Sequence, residues 1–437
     1  MLLSVNKARI ARSGSKHTDK MGRMQLRCSL LLLAFCLNSA PQSATNIAQL
    51  EASARSAIAA KDVNAALNAY EQLAKLVPTS AAYQDEIGFL LAASNRAGDA
   101  VPHFKRATQL DPKMAQAWYH LGVALLLTKR TDPGIRALQK AVALAPDNAD
   151  YRFHLGSAYN EAGRYAQAIP ELKKASTQLS RNTAVWEALG EACQQQKRWS
   201  EARSAYQHAL ELDPKNVGVR NSYGLTLVNS GRSSEAIAQF RKILAQDPEN
   251  VQVQVNIGYA YIGAADYKEA IRQLSAIARA HPEAASAHYD LGVAYKQSDD
   301  LVHAEAEFEK TTELDPSLTE AHYLLGMTCI DAGKPDKAVQ EFRAAVAQKP
   351  SYVEAWFELG TILKEQGDTD GAIDALRHSV ALDDTDAAAF NTLGLLLRRK
   401  GDTEGAKQAF AKAAQLRAAE AQQKEKKLEL GAARAGK

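Results

Sequence analysis

The sequence predicts an all-α fold, an α-solenoid of about eleven 34-residue helix-turn-helix repeats. Three observations carry this. Gly88, Gly122, Gly156, Gly190, Gly224, Gly258, Gly292, Gly326, Gly360 and Gly394 follow one another at intervals of 34 residues without an insertion. Taking each as position 8, position 20 is Ala in nine of those ten repeats, from Ala100 to Ala406, with Gly134 as the departure. Position 32 is Pro at Pro112, Pro146, Pro214, Pro248, Pro282, Pro316 and Pro350. A fixed period of this length is the mark of a stacked repeat architecture, which overrides the prior of roughly 150 residues per globular domain.

The first helix of each repeat follows from positions 4, 7, 8 and 11, whose i, i+3, i+4, i+7 spacing puts them on one face. Position 15 then supplies Gly163, Gly231, Gly333, Gly367 and Gly401, residues able to take the left-handed conformation that ends a helix. Positions 20, 24 and 27 form one face of the second helix. Gly at 8 and Ala at 20 remove bulk where the helices cross. Pro at 32 stops the second helix by disfavouring helix in the residue before it. Pro102 and Pro170, both at position 22, fall inside second helices and are expected on the outer layer. Each hairpin alone leaves an apolar face exposed, so neighbours must stack.

Two segments flank this array. Residues 1–45 hold seven basic residues against the single acid Asp19, followed by the apolar run Cys28 to Leu37. A basic stretch, a short apolar core and small residues are the parts of a secretory signal peptide. Ten residues rise only about 15 Å as a helix, short of a bilayer core of about 30 Å. A periplasmic or secreted protein is therefore expected, with tethering by an uncleaved segment as the alternative. Met21 or Met24 is a second candidate start. The solenoid is expected over 46–420 and a polar helical cap and tail over 421–437. Because the first segment supplies more than the whole formal charge of +3, the chain without it is mildly acidic, and nucleic acid is not an expected partner.

Trp118-x2-Leu121-Gly122 and Trp356-x2-Leu359-Gly360, with Ala at 20, Phe, Leu or Tyr at 24 and Pro at 32, resemble the tetratricopeptide-repeat family. The resemblance spans about residues 47–420 and includes a weaker first unit that keeps Ala66, Tyr70 and Pro78 but has Ala54 for the Gly. It implies a right-handed superhelix with first helices lining a concave groove, and a non-enzymatic scaffold that binds proteins or extended peptide segments. A regulatory or targeting subunit that recruits substrate to a separate enzyme is the alternative. The family's chaperone adaptors grip a carboxylate with Lys at position 5 and Asn at position 9. No repeat here has either. The sugar-transferring branch carries a ladder of Asn at position 6, which only Asn256 matches.

Positions 2, 5, 9 and 12 form the stripe expected to face the groove. It offers Tyr119, Phe153, Asn221, Tyr259, Tyr289, Lys296, Tyr323, Phe357, Lys364, Asn391 and Arg398 as candidate contacts. Equivalent helices about 10 Å apart match three residues of an extended or polyproline II ligand at about 3.1 to 3.3 Å each. The competing reading has the same aromatics packing sideways on neighbouring first helices. Acids Glu161, Glu187 and Glu191 precede bases Lys296, Lys364, Arg398 and Arg399 along the stripe. No catalytic residue, cofactor or metal site is expected. His120 and His154 share position 6, and His288 and His322 position 4, but stacked repeats hold such pairs about 8 to 10 Å apart, too far for one ion. Cys193 and Cys329 both occupy core position 11 and are expected as buried free thiols.

Overall fold

The computed structural model describes residues 39–435, with side chains described over 44–425. The proposed signal segment therefore lies almost wholly outside the described residues. Among the described residues all regular structure is helical, and no helix is long and apolar enough to cross a membrane. The chain divides into two compact units, one up to Val219 and one from Arg220.

In the first unit α1 (Ser39–Ala59) pairs with α2 (Val63–Leu76), α3 (Ala81–Ala93) with α4 (Ala97–Leu110), and α5 (Ala115–Leu127) with α6 (Thr131–Leu144). Next come α7 (Ala149–Glu161) with α8 (Tyr165–Gln178) and α9 (Thr183–Gln195) with α10 (Trp199–Leu212). The second unit takes in most of α11 (Val217–Asn229), followed by α12 (Ser233–Leu244). It continues with the pairs α13 (Val251–Gly263) and α14 (Tyr267–Ala280), α15 (Ala285–Gln297) and α16 (Leu301–Leu314), and α17 (Thr319–Asp331) and α18 (Pro335–Gln348). It ends with α19 (Val353–Gln366) on α20 (Thr369–Leu382) and α21 (Ala387–Lys400) on α22 (Thr403–Ala435). Eleven hairpins result, as the period requires. Successive first helices touch, α3 with α5, α5 with α7 and α7 with α9 in one unit, α13 with α15 and α19 with α21 in the other. First helices thus lie on the tighter side of each stack.

The position-8 glycines make room mainly for the side chain at position 24. A Cβ on Gly326 would lie 2.7 Å from Cε1 of Phe342, and one on Gly156 2.6 Å from Cγ of Leu172. Those partners are fully buried, so the period of the glycine is the period of a core ring or leucine above it. Ala54 occupies the same register in the first hairpin and is buried.

Position 15 is left-handed in every repeat, including the six that lack glycine there. Gly163, Gly231, Gly333, Gly367 and Gly401 share their positive φ with Lys61, Asn95, Lys129, Lys197, Ala265 and Asp299. The stack dictates this turn, and an L residue there costs about 1–2 kcal/mol. Ala265 is exposed and sits at φ 56°, so it loses no packing when changed. Ala265→Gly is expected to raise stability by about 0.5–1 kcal/mol after the entropy of an extra glycine in the unfolded chain is counted. Urea unfolding of the two proteins, monitored by hydrogen exchange over 251–280, checks it; a destabilised variant would contradict the strain.

Pro102 and Pro170 sit on exposed faces of α4 and α8, which run on through them. Both ends of the array differ from the expected boundaries. Helix α1 begins at Ser39, and α22 runs unbroken from Thr403 to Ala435 across residue 420. Ala418 replaces the terminating proline at position 32, and the Ala, Lys and Glu-rich continuation favours helix. Residues 417–425 are exposed, so this stretch prolongs the last helix into solvent and does not fold back as a lid.

Candidate functional site: the first-helix face

Position 4 acts as a staple. Its side chain reaches back six residues to the carbonyl at position 32 of the preceding repeat. Trp118 Nε1 donates to Pro112 O at 3.0 Å, Trp186 Nε1 to Ser180 O at 2.9 Å and Trp356 Nε1 to Pro350 O at 2.9 Å. Arg152 and Gln254 do the same to Pro146 O and Pro248 O at 2.7 Å. His288 and His322 use Nε2 for Pro282 O and Pro316 O at 3.2 Å, while Nδ1 meets Glu307 and Glu341 of the second helix at 2.6 and 2.7 Å. These histidines stand in for the large residue at position 4.

The Glu341 carboxylate beside it holds the His322 imidazole above its ordinary range, against the opposing effect of burial. A raised folded-state value means that the charged form stabilises the fold below the unfolded histidine value of about 6.5, and that this contribution is lost as pH rises through the folded value. The stability difference between the native protein and His322→Gln is therefore expected to be larger at about pH 5.5 than at about pH 8.5. Denaturant titrations at the two values read it directly, and Glu341→Gln should abolish the difference.

On the first-helix face a second cross-repeat connection links position 6 to position 5 of the preceding repeat. His120 Nδ1 meets Asp85 Oδ1 at 2.9 Å, Asn256 Nδ2 donates to Asn221 Oδ1 at 2.7 Å, and the Tyr119 hydroxyl lies 3.4 Å from His154. Asp85 is buried, and it also accepts from Gln116.

The candidate contacts divide by what they touch. In the first unit Tyr119 stacks on Tyr151 at 4.7 Å between centroids, and Phe153 meets the His154 ring edge-on at 5.2 Å. In the second unit Asn221 is held by Asn256, Tyr259 donates to Asn229 at 3.1 Å and Lys296 pairs with Asp331. Tyr289 lies edge-on to Phe308 and Tyr323 packs between Phe342 and Tyr352, while Phe357 leans on the same core. Arg398 lies over the Phe410 ring, and Lys364 and Asn391 are half-buried. These half-buried aromatics are thus spent in part on packing against neighbouring rings and core side chains.

Residues 171–288 match the family described as the TPR domain of cytochrome c-type biogenesis protein H. Families described as tetratricopeptide repeat match 91–155, 130–182, 285–318, 323–387 and 358–423. The chain is a tetratricopeptide-repeat (TPR) protein. No curated protein matches it. Among solved structures this TPR chain is similar to MamA at 25% identity, over 38% of this chain and 97% of that one, with a TM-score of 0.37. It is also similar to yeast Tom70 at 14% identity, over 85% and 92%, with a TM-score of 0.46.

The electrostatics of the TPR first-helix face add residues that the stripe of positions 2, 5, 9 and 12 passes over. Glu86, Asp290 and Glu358 all stand at position 6, and burial pushes each carboxyl above its ordinary range, Asp290 to about 7. Where other repeats offer Asp85 or Asn221 as a rung partner, Asp290 stands in register with Val255, which is apolar and buried. Polar pairs spaced 35 residues apart were the available signal, one residue more than the period. Burial likewise raises the Tyr119 and Tyr289 hydroxyls to about 12. The two thiols are free and buried, and desolvation lifts Cys329 to about 11, which leaves little thiolate for reaction.

Between α3 and α5 the face opens into an apolar hollow lined by Phe89, Ala92, Tyr119, His120, Val123 and Leu127, with Phe104 beneath. Leu127 is 61% exposed. Phe89 and Val123 belong to position 9 of the expected stripe, while Leu127, at position 13, lies beyond it.

Proposed function

We propose that this TPR protein is an exported, non-enzymatic scaffold that binds extended segments of partner proteins along its first-helix face. TPR chains bind proteins or peptides, and the observation that carries the reading is the character of this face. First helices form the tighter side of each stack and carry half-buried aromatics at Phe153, Tyr259 and Phe357. A repeat spacing of about 10 Å suits three residues of extended chain. The basic and then apolar N-terminal sequence supports export to the periplasm or medium. The match of 171–288 to a TPR domain of a biogenesis protein supports a role in assembling another protein.

Site-directed photocrosslinking in the native cell tests the binding face. Crosslinker at the exposed first-helix positions Glu187 and Gln297 is expected to capture a partner, whereas crosslinker at the exposed second-helix positions Gln207 and Lys242 is not. Capture from second helices alone would overturn the reading. The mass of the protein recovered from the cell tests export, with a mature chain beginning near Ala44 as the expected result.

A further inference from the structure

The apolar hollow between α3 and α5 lies within an acidic face. On the first-helix positions 2, 5, 6, 9, 12 and 13 of the first unit, Glu86, Asp150, Glu161, Glu187 and Glu191 have no ion-pair partner among the described residues. The single Arg or Lys on those positions is Arg55, which is spent on Glu51. Glu187 and Glu191 stand one helical turn apart. Burial first, and then the charge of Glu191, pushes the Glu187 carboxyl up.

Glu86 is the acid nearest the hollow along the chain. It is half-buried and lies three residues before Phe89, on the same side of α3. A rise of 1.5 Å per residue puts them about 4.5 Å apart along the axis. Its charged neighbours are Asp85 and His120, and Asp85 is already engaged by His120. An uncompensated carboxylate in a half-desolvated position is stabilised by an incoming cation more strongly than an acid in open water. The Phe89, Val123 and Leu127 walls beside it offer apolar area to a neighbouring side chain.

We propose that this face selects basic extended segments of a partner protein, with an apolar side chain seated in the hollow and a lysine or arginine placed against Glu86. The proposal rests on the groove reading above and adds to it the charge and side-chain class of the ligand. Successive side chains of an extended segment alternate sides, so a basic and an apolar residue two apart reach the two subsites together. The further acids Asp150, Glu161, Glu187 and Glu191 extend the same preference along the face and steer a basic chain towards it.

Three fluorescent nine-residue peptides test this with the full-length protein. One carries lysine and leucine in turn at its odd positions with serine between them, so that each lysine has a leucine two residues away on the same side, one has glutamate for each lysine, and one keeps the lysines with glycine for each leucine. The lysine-leucine peptide is expected to bind, the glutamate peptide not at all, and the lysine-glycine peptide about tenfold more weakly. Binding of the first should weaken steeply from 50 to 500 mM salt as the exposed acids are screened. Glu86→Lys and Leu127→Lys, both at surface-accessible positions, are each expected to weaken it about tenfold or more, while Lys310→Glu on the second unit leaves it unchanged. Equal binding of the acidic peptide, insensitivity to both hollow variants, or no binding of the lysine-leucine peptide would each overturn the proposal. Crosslinking from Glu187 and Gln297 would still stand or fall separately, so loss of this charge preference is distinguishable from loss of the groove.

Discussion

Phe342→Ala is expected to lower the stability of the second unit by about 3–5 kcal/mol, the cost of emptying a fully enclosed aromatic site. The ring is 0% exposed and belongs to a continuous core with Phe308, Leu325, Ala338, Leu359 and Leu376. It lies over Gly326 on one side and against Tyr323, 5.9 Å away, on the other. The backbone beneath it is held by both helices of its hairpin and by the hairpins on each side, so the cavity cannot collapse. Because a repeat stack can open locally, the measurement is hydrogen exchange resolved along the chain during urea titration. Amides of 319–348 should lose protection first. A cost below about 1 kcal/mol would show that the position-24 side chain is not what holds adjacent helices together.

Gly326→Ala should destabilise the same hairpin by about 1–3 kcal/mol through overpacking. The added Cβ would stand 2.7, 2.9 and 3.0 Å from Cε1, Cδ1 and Cζ of Phe342, and a buried ring has no free direction in which to move. The two substitutions are not independent. In the Phe342→Ala background the obstructing ring is gone, so the methyl enters space that is already empty and its cost should fall by about 1 kcal/mol or more. A double-mutant cycle measures this coupling. If Gly326→Ala costs the same with and without the ring, then the recurrence of glycine every 34 residues reflects helix backbone approach alone.

The proposed partner chemistry has a physical consequence for the groove aromatics. Tyr289 and Tyr323 each contact a core phenylalanine, so truncating them would weaken both ligand binding and repeat packing. Leu127 is 61% exposed and Glu86 is half-buried, so they are the cleaner probes. The same first-helix positions of the second unit mix the cations Lys296, Lys364, Arg398 and Arg399 with the acids Asp290, Glu320, Asp331, Glu354, Glu358 and Glu365, and Lys296 is occupied by Asp331.

The hairpins, their number and their turns were legible from periodicity because each is set by residues within one 34-residue unit. Gly326 and Phe342 lie 16 positions apart in every repeat, and a local rule repeated ten times stands out. The burial of Cys193 and Cys329 followed from the same register. The first-helix face was legible only in part. Tyr119, Phe153 and Phe357 stand on positions of the expected stripe, whereas Glu86 and Asp290 at position 6 and Leu127 at position 13 lie outside it. Their surroundings come from the neighbouring repeat, through pairs such as Asp85 with His120 and Asn221 with Asn256, in which each residue's partner varies from one repeat to the next. The left-handed turns at Lys61, Asn95, Lys129, Lys197, Ala265 and Asp299 show the same division. Chain connectivity and side-chain volume within a repeat dictate where helices begin and cross, and they leave a trace in the sequence. Charge pairing, desolvation and strain depend on which side chains the stack brings face to face, and that is settled only when the hairpins pack.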